Sequence, residues 1–285
     1  MSVSGRFRQL PTERMGTRLQ WTRANVERYL ALFRRKPRAT AIPRWRAPLR
    51  LGVGAIVAIA VIAVTMVALD ARAASAARHL PEWLILFFDH VTEFGKSFWL
   101  LVPVAFALGA IALAVSPALP RMSQGVLAAI AVRLGFVFLA VGLPGLIFTI
   151  AKRLIGRARP FVEGTADPFR YRPLGWSVEY AGLPSGHAID AFAIAMAVGA
   201  FWPRARPVLW TYAVLIAMSR VVLTAHFPSD VIAGAVVGII GVLLVRDWFA
   251  ARGLGFAIGA DGIVRPLPGP SLARIKRVAR QLVAP

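Results

Sequence analysis

The chain has 285 residues, 58% of them hydrophobic, and a formal net charge of +21. That apolar fraction, with a mean hydropathy of +0.64, excludes an ordinary soluble domain and points to an all-α, polytopic membrane protein. The charge does not indicate nucleic-acid binding, because the basic residues crowd the two ends and the short connections instead of forming one aromatic-interleaved patch; with no cysteine, the redox compartment stays open.

Residues 1–47 read as a basic arm, in which Leu19 to Phe33 spaces apolar residues at helical intervals against arginines. Such a segment is either an amphipathic helix on an anionic inner leaflet or a basic tail of little fixed structure. The first apolar run, Leu51 to Leu69, follows too long a basic stretch for a typical cleavable signal and reads as a retained helix. Trp83 to Phe94 suggests a short outer helix with an apolar face tucked against the bundle. Further runs cover Phe98 to Val115, Gly125 to Ile150, Ala188 to Trp202, Pro207 to Leu223 and Val231 to Val245. Against the roughly 17 to 25 residues that a span needs, the fourth and sixth runs are short. The expectation is a six-transmembrane-helix bundle over residues 48–248, followed by a basic tail, 249–285, whose Leu272 to Leu282 again alternates arginines with apolar residues. Gly234 and Gly238 form a small-xxx-small pair, which suits packing within one bundle better than dimerisation; the oligomeric state is not legible.

Orientation follows from the basic residues. The arm with Arg50, then Arg121, Arg204 and Arg206, and the tail with Arg246 hold 23 of the 34, which puts both termini in the cytoplasm. The other connections, Asp70 to Ser97, Lys152 to His187 and Thr224 to Asp230, then face the periplasm of a bacterial inner membrane. Arg133, inside the third run, is near enough to the inner surface to snorkel.

Three distant stretches thereby reach one membrane level: "KRLIGRARP", "PSGH" and "SRVVLTAHFPSD". Lys152, Arg159 and Arg220 are cations without matching local carboxylates, and guanidinium groups pair well with phosphate oxygens. Arg153 and Arg157 suit outward contacts with lipid headgroups, whereas Arg220 lies in an apolar run, where a charge reads as functional. Pro184 and Ser185 open a helix, so the N–H groups of Ser185, Gly186 and His187 should point outward as a phosphate cradle. The Ser185 hydroxyl can cap that helix or donate to a ligand. Asp230 either caps the last helix, with His226 merely interfacial, or bonds one ring nitrogen of His226 and makes the other a better base or nucleophile, in which case His187 can give a proton to the leaving oxygen. Asp190, one turn after His187, is either its charge partner or a helix-dipole carboxylate. The connection Phe161 to Leu183, rich in aromatics, reads as a lid.

Together these stretches resemble the type 2 phosphatidic acid phosphatase superfamily, membrane lipid phosphatases related to vanadium haloperoxidases. The lysine, six residues, Arg-Pro pattern falls on Lys152, Arg159 and Pro160, the second motif on Pro184 to His187, and the third on Ser219, Arg220, His226 and Asp230. The resemblance implies His226 as nucleophile through a phosphohistidine, Asp230 as its orienting partner and His187 as general acid. Lys152, Arg159, Ser185, Gly186 and Arg220 would hold the phosphate, with neither metal nor cofactor. The substrate it implies is a lipid phosphate or pyrophosphate, undecaprenyl diphosphate first, then phosphatidate or phosphatidylglycerol phosphate. A lipid A phosphatase or a lipid phosphotransferase is the alternative, and a vanadate-dependent haloperoxidase ranks below both.

Overall fold

A computed structural model describes residues 11–38, 42–116 and 119–283; the first ten residues of the basic arm and the last two of the tail lie outside the described residues. The protein is mostly helical. In chain order the helices are α1 (Pro11–Phe33), α2 (Pro48–Ala68), α3 (Asp70–Ala77), α4 (Glu82–Glu93), α5 (Phe98–Ala114), α6 (Arg121–Ile155), α7 (Gly186–Phe201), α8 (Arg206–Val222), α9 (Pro228–Ala251) and α10 (Leu272–Val283). Strands β1 (Phe256–Ile258) and β2 (Val264–Pro266) pair antiparallel in the tail.

Among the described residues, five stretches are long and apolar enough to cross a membrane: Pro48–Ala68, Glu82–Ala114, Arg121–Ile155, Pro203–Val222 and Pro228–Ala251. The sequence expects six spans. All six apolar runs are helical, but α7 has only 16 residues, about 24 Å of helix against a hydrocarbon thickness of about 30 Å. Ser185 and Trp202 bound it, and it lies among α6, α8 and α9. Ala188, Ala191, Ala193, Ala195 and Ala197 are buried, so neighbouring helices enclose it where lipid would otherwise be.

It packs most extensively on α9, and small residues on both sides permit a close approach. A Cβ on Gly234 would stand 2.6 Å from the Ser185 carbonyl oxygen, and one on Gly238 would stand 2.5 Å from that of Ile189. The glycine pair therefore packs within the bundle. Gly238→Val is expected to lower the thermal unfolding temperature in detergent, overpacking of this kind costing about 1–3 kcal/mol. Gly54→Ala, where nothing lies within 4 Å of the added carbon, should leave that temperature unchanged.

At the other end of the bundle, packing continues into the tail. Phe136 makes edge contacts with Phe201, Phe249 and Phe256, and the ribbon seats Phe256 in the core. Arg133 does not snorkel to lipid: its Nη2 donates to the carbonyls of Leu267 and Pro268, each at 2.9 Å. The two amphipathic segments are helical, as one of the sequence readings has them, and both pack on the bundle. Ile275 and Val278 of α10 pack on Val126 and Leu127 of α6, and Asn25 of α1 donates to the carbonyls of Ala112 at 2.9 Å and Val115 at 2.7 Å. The end of a helix leaves carbonyls without intrahelical partners, and α1 supplies a donor for those of α5.

Helix α4 forms as the sequence suggests. Phe88 is buried and Phe94 accepts a hydrogen bond from Tyr212 Oη at 2.8 Å, which ties the α4–α5 connection to α8.

Candidate active site

The three motif stretches converge at the end of the bundle where α6 finishes and α7 and α9 begin. Gly156 ends α6 in the left-handed region, φ 68°; a Cβ there would lie 1.9 Å from the Arg172 carbonyl oxygen, so glycine is required. The turn sends residues 157–159 across the top of the bundle, strapped by Ala158 N–H to Arg170 O at 2.9 Å and Arg159 N–H to Glu179 O at 2.8 Å. The Lys152 ammonium, in the last turn of α6, lies 3.7 Å from where a Gly186 Cβ would be.

Ser185 precedes α7 without capping it through its side chain. Its N–H donates to the Asp230 carbonyl at 3.0 Å, so it is not one of the outward N–H groups the sequence suggested. Gly186 and His187 remain at the head of the helix, where first-turn N–H groups lack intrahelical acceptors and the dipole favours an anion. The His187 ring packs under the α4–α5 connection: a Cβ on Gly95 would stand 2.8 Å from its Cδ2.

On α8, Arg220 Nη1 donates to Thr92 Oγ1 at 2.6 Å, which makes α4 part of the site's wall. The Arg220 carbonyl accepts from the N–H groups of Ala225 at 3.0 Å and His226 at 3.1 Å, folding His226 back over the end of the helix. Ser219 serves the helix itself, its hydroxyl donating to Ile216 O at 2.6 Å. His226 Nδ1 faces Asp230 Oδ2 at 3.7 Å, within ion-pair range but longer than a hydrogen bond. That oxygen accepts from Phe227 N–H at 2.9 Å.

Among the described residues, five buried side-chain nitrogen or oxygen atoms have no hydrogen-bond partner, and four of them are Arg159 Nε, Ser185 Oγ, Arg220 Nε and His226 Nδ1. Buried polar groups are ordinarily paired, so this concentration marks a polar site, not a packed core. Arg159, Arg220, His187 and His226 also lie within Coulomb reach of one another, and Lys152 lies within reach of Arg159. Burial lowers the pKa of His226, with Arg159 and Arg220 adding to the effect and Asp230 opposing it, so the ring favours its neutral form. Arg159 is lowered chiefly by burial as well. No three His, Asp or Glu side chains among the described residues stand together as metal ligands.

Residues 131–254 match the sequence profile of the PAP2 superfamily, a segment that contains every motif residue named above. This segment is a PAP2-superfamily region. The chain is 36% identical over 127 residues to a lipid A 1-phosphatase from Rhizobium johnstonii, covering 45% of this chain and 52% of that protein. A lipid A 1-phosphatase from Rhizobium etli is 35% identical over the same length, covering 45% and 55%. The chain thus spans about half the length of the curated relatives it matches. Among solved structures, Aquifex aeolicus LpxE aligns with a TM-score of 0.45 and 22% identity over 62% of this chain and 94% of that one. A PAP2-type phosphatidylglycerolphosphate phosphatase from Bacillus subtilis aligns with a TM-score of 0.45 and 19% identity over 80% and 95%.

Two residues beside the PAP2 motifs differ from the sequence reading. Arg157 is no headgroup contact: it is fully buried, and its Nη1 donates to Asp230 Oδ1 and to Ser229 Oγ, the latter at 2.8 Å. Asp70, the first residue of α3 and outside the PAP2 region, accepts from Arg157 Nη2 at 2.7 Å. Its position directly after an apolar run was the available signal. Asp190 is turned toward α5, its Oδ2 accepting from Ser97 N–H at 3.3 Å. It thus serves a helix start, although that of α5 instead of its own α7. The connection 161–183 is tied down by a bridge between Arg157 and Tyr171 and by the Arg78 guanidinium 3.9 Å over the Phe161 ring, while Phe169 and Trp176 are exposed.

Proposed function

We propose that the protein is a metal-independent lipid phosphatase working through a phosphohistidine. The observation that carries this is the set of unpaired buried atoms on Arg159, Ser185 and Arg220, which complement a phosphate oxygen shell, beside a buried His226 whose Nδ1 faces Asp230. Lys152, Arg159, Arg220, Ser185 and the N–H groups of Gly186 and His187 hold the phosphoryl oxygens. His226 Nε2, opposite the nitrogen facing Asp230, attacks phosphorus. The P–O ester bond breaks, and His187 gives a proton to the departing oxygen. Water then cleaves the P–N bond, with His187 taking its proton.

The substrate is a phosphorylated glycolipid of the lipid A kind. Beside Arg159 opens a cleft of about 600 Å³, lined also by Glu163, Arg172, Glu179, Tyr180 and Thr224. Its mixed lining of two carboxylates, two arginines and the Tyr180 and Thr224 hydroxyls suits saccharide hydroxyls, and the curated relatives are called lipid A 1-phosphatases. In this reading α7 is the sixth, protein-enclosed span, both termini are cytoplasmic, and the site opens to the periplasm of a bacterial inner membrane.

The test is phosphate release in chelator, by detergent-solubilised protein, from lipid A, phosphatidate, phosphatidylglycerol phosphate and undecaprenyl diphosphate. The expected order puts lipid A first. Undecaprenyl diphosphate in first place overturns the saccharide assignment, and no release from any of the four overturns the phosphatase reading.

A further inference from the structure

Asp230 uses both carboxylate oxygens: Oδ2 accepts from Phe227 N–H and faces His226, and Oδ1 accepts from Arg157. An arginine so close would ordinarily cancel the carboxylate's field at His226. Arg157, however, is shared. Its Nη2 donates to Asp70 Oδ2 at 2.7 Å, its Nε to Pro168 O at 2.9 Å, and its face lies 4.9 Å over the Phe227 ring. Asp70 is held in turn by the Ser229 hydroxyl and by Ser229 N–H, the latter at 2.9 Å. Asp70, Arg157, Ser229 and Asp230 have no exposed surface. Burial pulls Arg157 toward its neutral form, but Asp230 and Asp70 together outweigh this and raise its pKa, so the arginine stays charged between two carboxylates.

We infer that Asp70, acting through Arg157, is a positioning residue for the His226–Asp230 pair: it holds the arginine's fork between the two carboxylates and leaves the cluster one net negative charge with which to support His226. This rests on the phosphohistidine reading. It extends the active centre to the junction of α2 and α3, outside the PAP2 region, and gives the first span a part in the chemistry besides anchoring. A buried ion pair placed only for packing would contribute to folding without tuning the nucleophile.

The charged groups acting on His226 are Asp230 from α9, Arg159 from the segment after α6, Arg220 from α8 and His187 from α7, with Arg157 behind Asp230, Lys96 behind His187 and Lys152 behind Arg159. All of them stay in place in Asp70→Asn, which keeps the side chain's shape and removes one charge. Arg157 then belongs to Asp230 alone, so the support that Asp230 gives His226 weakens.

The experiment is the pH profile of kcat/KM for wild type and Asp70→Asn on the substrate ranked first in the panel. The acid limb is expected to move down by about one unit, with kcat lower by about tenfold and KM within about twofold. A limb and kcat like those of wild type, whatever the unfolding temperature, would overturn the inference. If Asp70→Asn does not fold, Asp70→Glu keeps the charge but shifts it by one methylene. Lower kcat with an unmoved limb then supports positioning, and wild-type kcat overturns it. Failure of the phosphatase reading looks different, since wild type itself would release no phosphate.

Discussion

His226→Ala is expected to lower phosphate release by on the order of 10^4-fold or more, because it removes the atom that bonds to phosphorus while leaving the cations that bind the phosphate. Binding should therefore survive the loss of turnover. Wild type incubated with a ³²P-labelled substrate and quenched rapidly in alkali should carry label on the protein that acid removes, as a phosphoramidate does; the variant should carry none. The same residue sets the acid limb of kcat/KM. Burial lowers the His226 pKa from its ordinary 6.5, Arg159 and Arg220 push the same way, and Asp230 opposes them. The nucleophile is the neutral ring, so activity is complete above that lowered pKa and falls tenfold per unit below it. The limb thus lies below 6.5. A limb well above that value would mean that another group limits the reaction, and full activity in His226→Ala would remove the histidine from the mechanism.

The site was legible from sequence wherever its chemistry is carried by residues that are expensive in an apolar chain. Arg220 in an apolar run, and a histidine four residues before an aspartate at a proline-marked helix start, declare themselves by that expense. Arg157 hid behind its neighbours. In "KRLIGRARP" four arginines and lysines stand together at a membrane boundary, and only the left-handed turn at Gly156 decides which of them enters the protein. Burial of Arg157 further depends on Asp70, a partner more than eighty positions earlier, and pairings at that distance leave no periodic trace.

The fold was read in the same uneven way. Apolar runs located the six bundle helices, α2 and α5 to α9, with ends displaced by up to six residues, because hydrocarbon imposes its thickness on the chain directly. The length of α7 follows a different rule, since a helix enclosed by α6, α8 and α9 is not measured against lipid. The arm and tail were ambiguous because amphipathicity names a face without naming what covers it. Val278 and Ile275 could have met acyl chains, and they meet Val126 and Leu127.

The second large effect concerns His187, and it separates proton donation from mere binding. His187→Gln keeps a polar side chain of similar reach at the head of α7 but has no proton to give, so turnover of a lipid phosphate, whose leaving oxygen departs as an alkoxide, should fall by about 10²–10⁴-fold. An aryl phosphate such as 4-nitrophenyl phosphate tells the two steps apart. Its leaving group needs no proton, so His226 should still be phosphorylated quickly, while hydrolysis of the P–N bond, which uses His187 as base, stays slow. The expected result in His187→Gln is a rapid burst of nitrophenolate close to one equivalent of enzyme, followed by a steady state far below that of wild type. Equal losses with the lipid and the aryl substrate, and no burst, would assign His187 to phosphate binding alongside Lys152 and Arg159. Because Gly95 and the α4–α5 connection pack on the ring, the unfolding temperature should be measured in parallel, and a variant that unfolds like wild type makes the burst decisive.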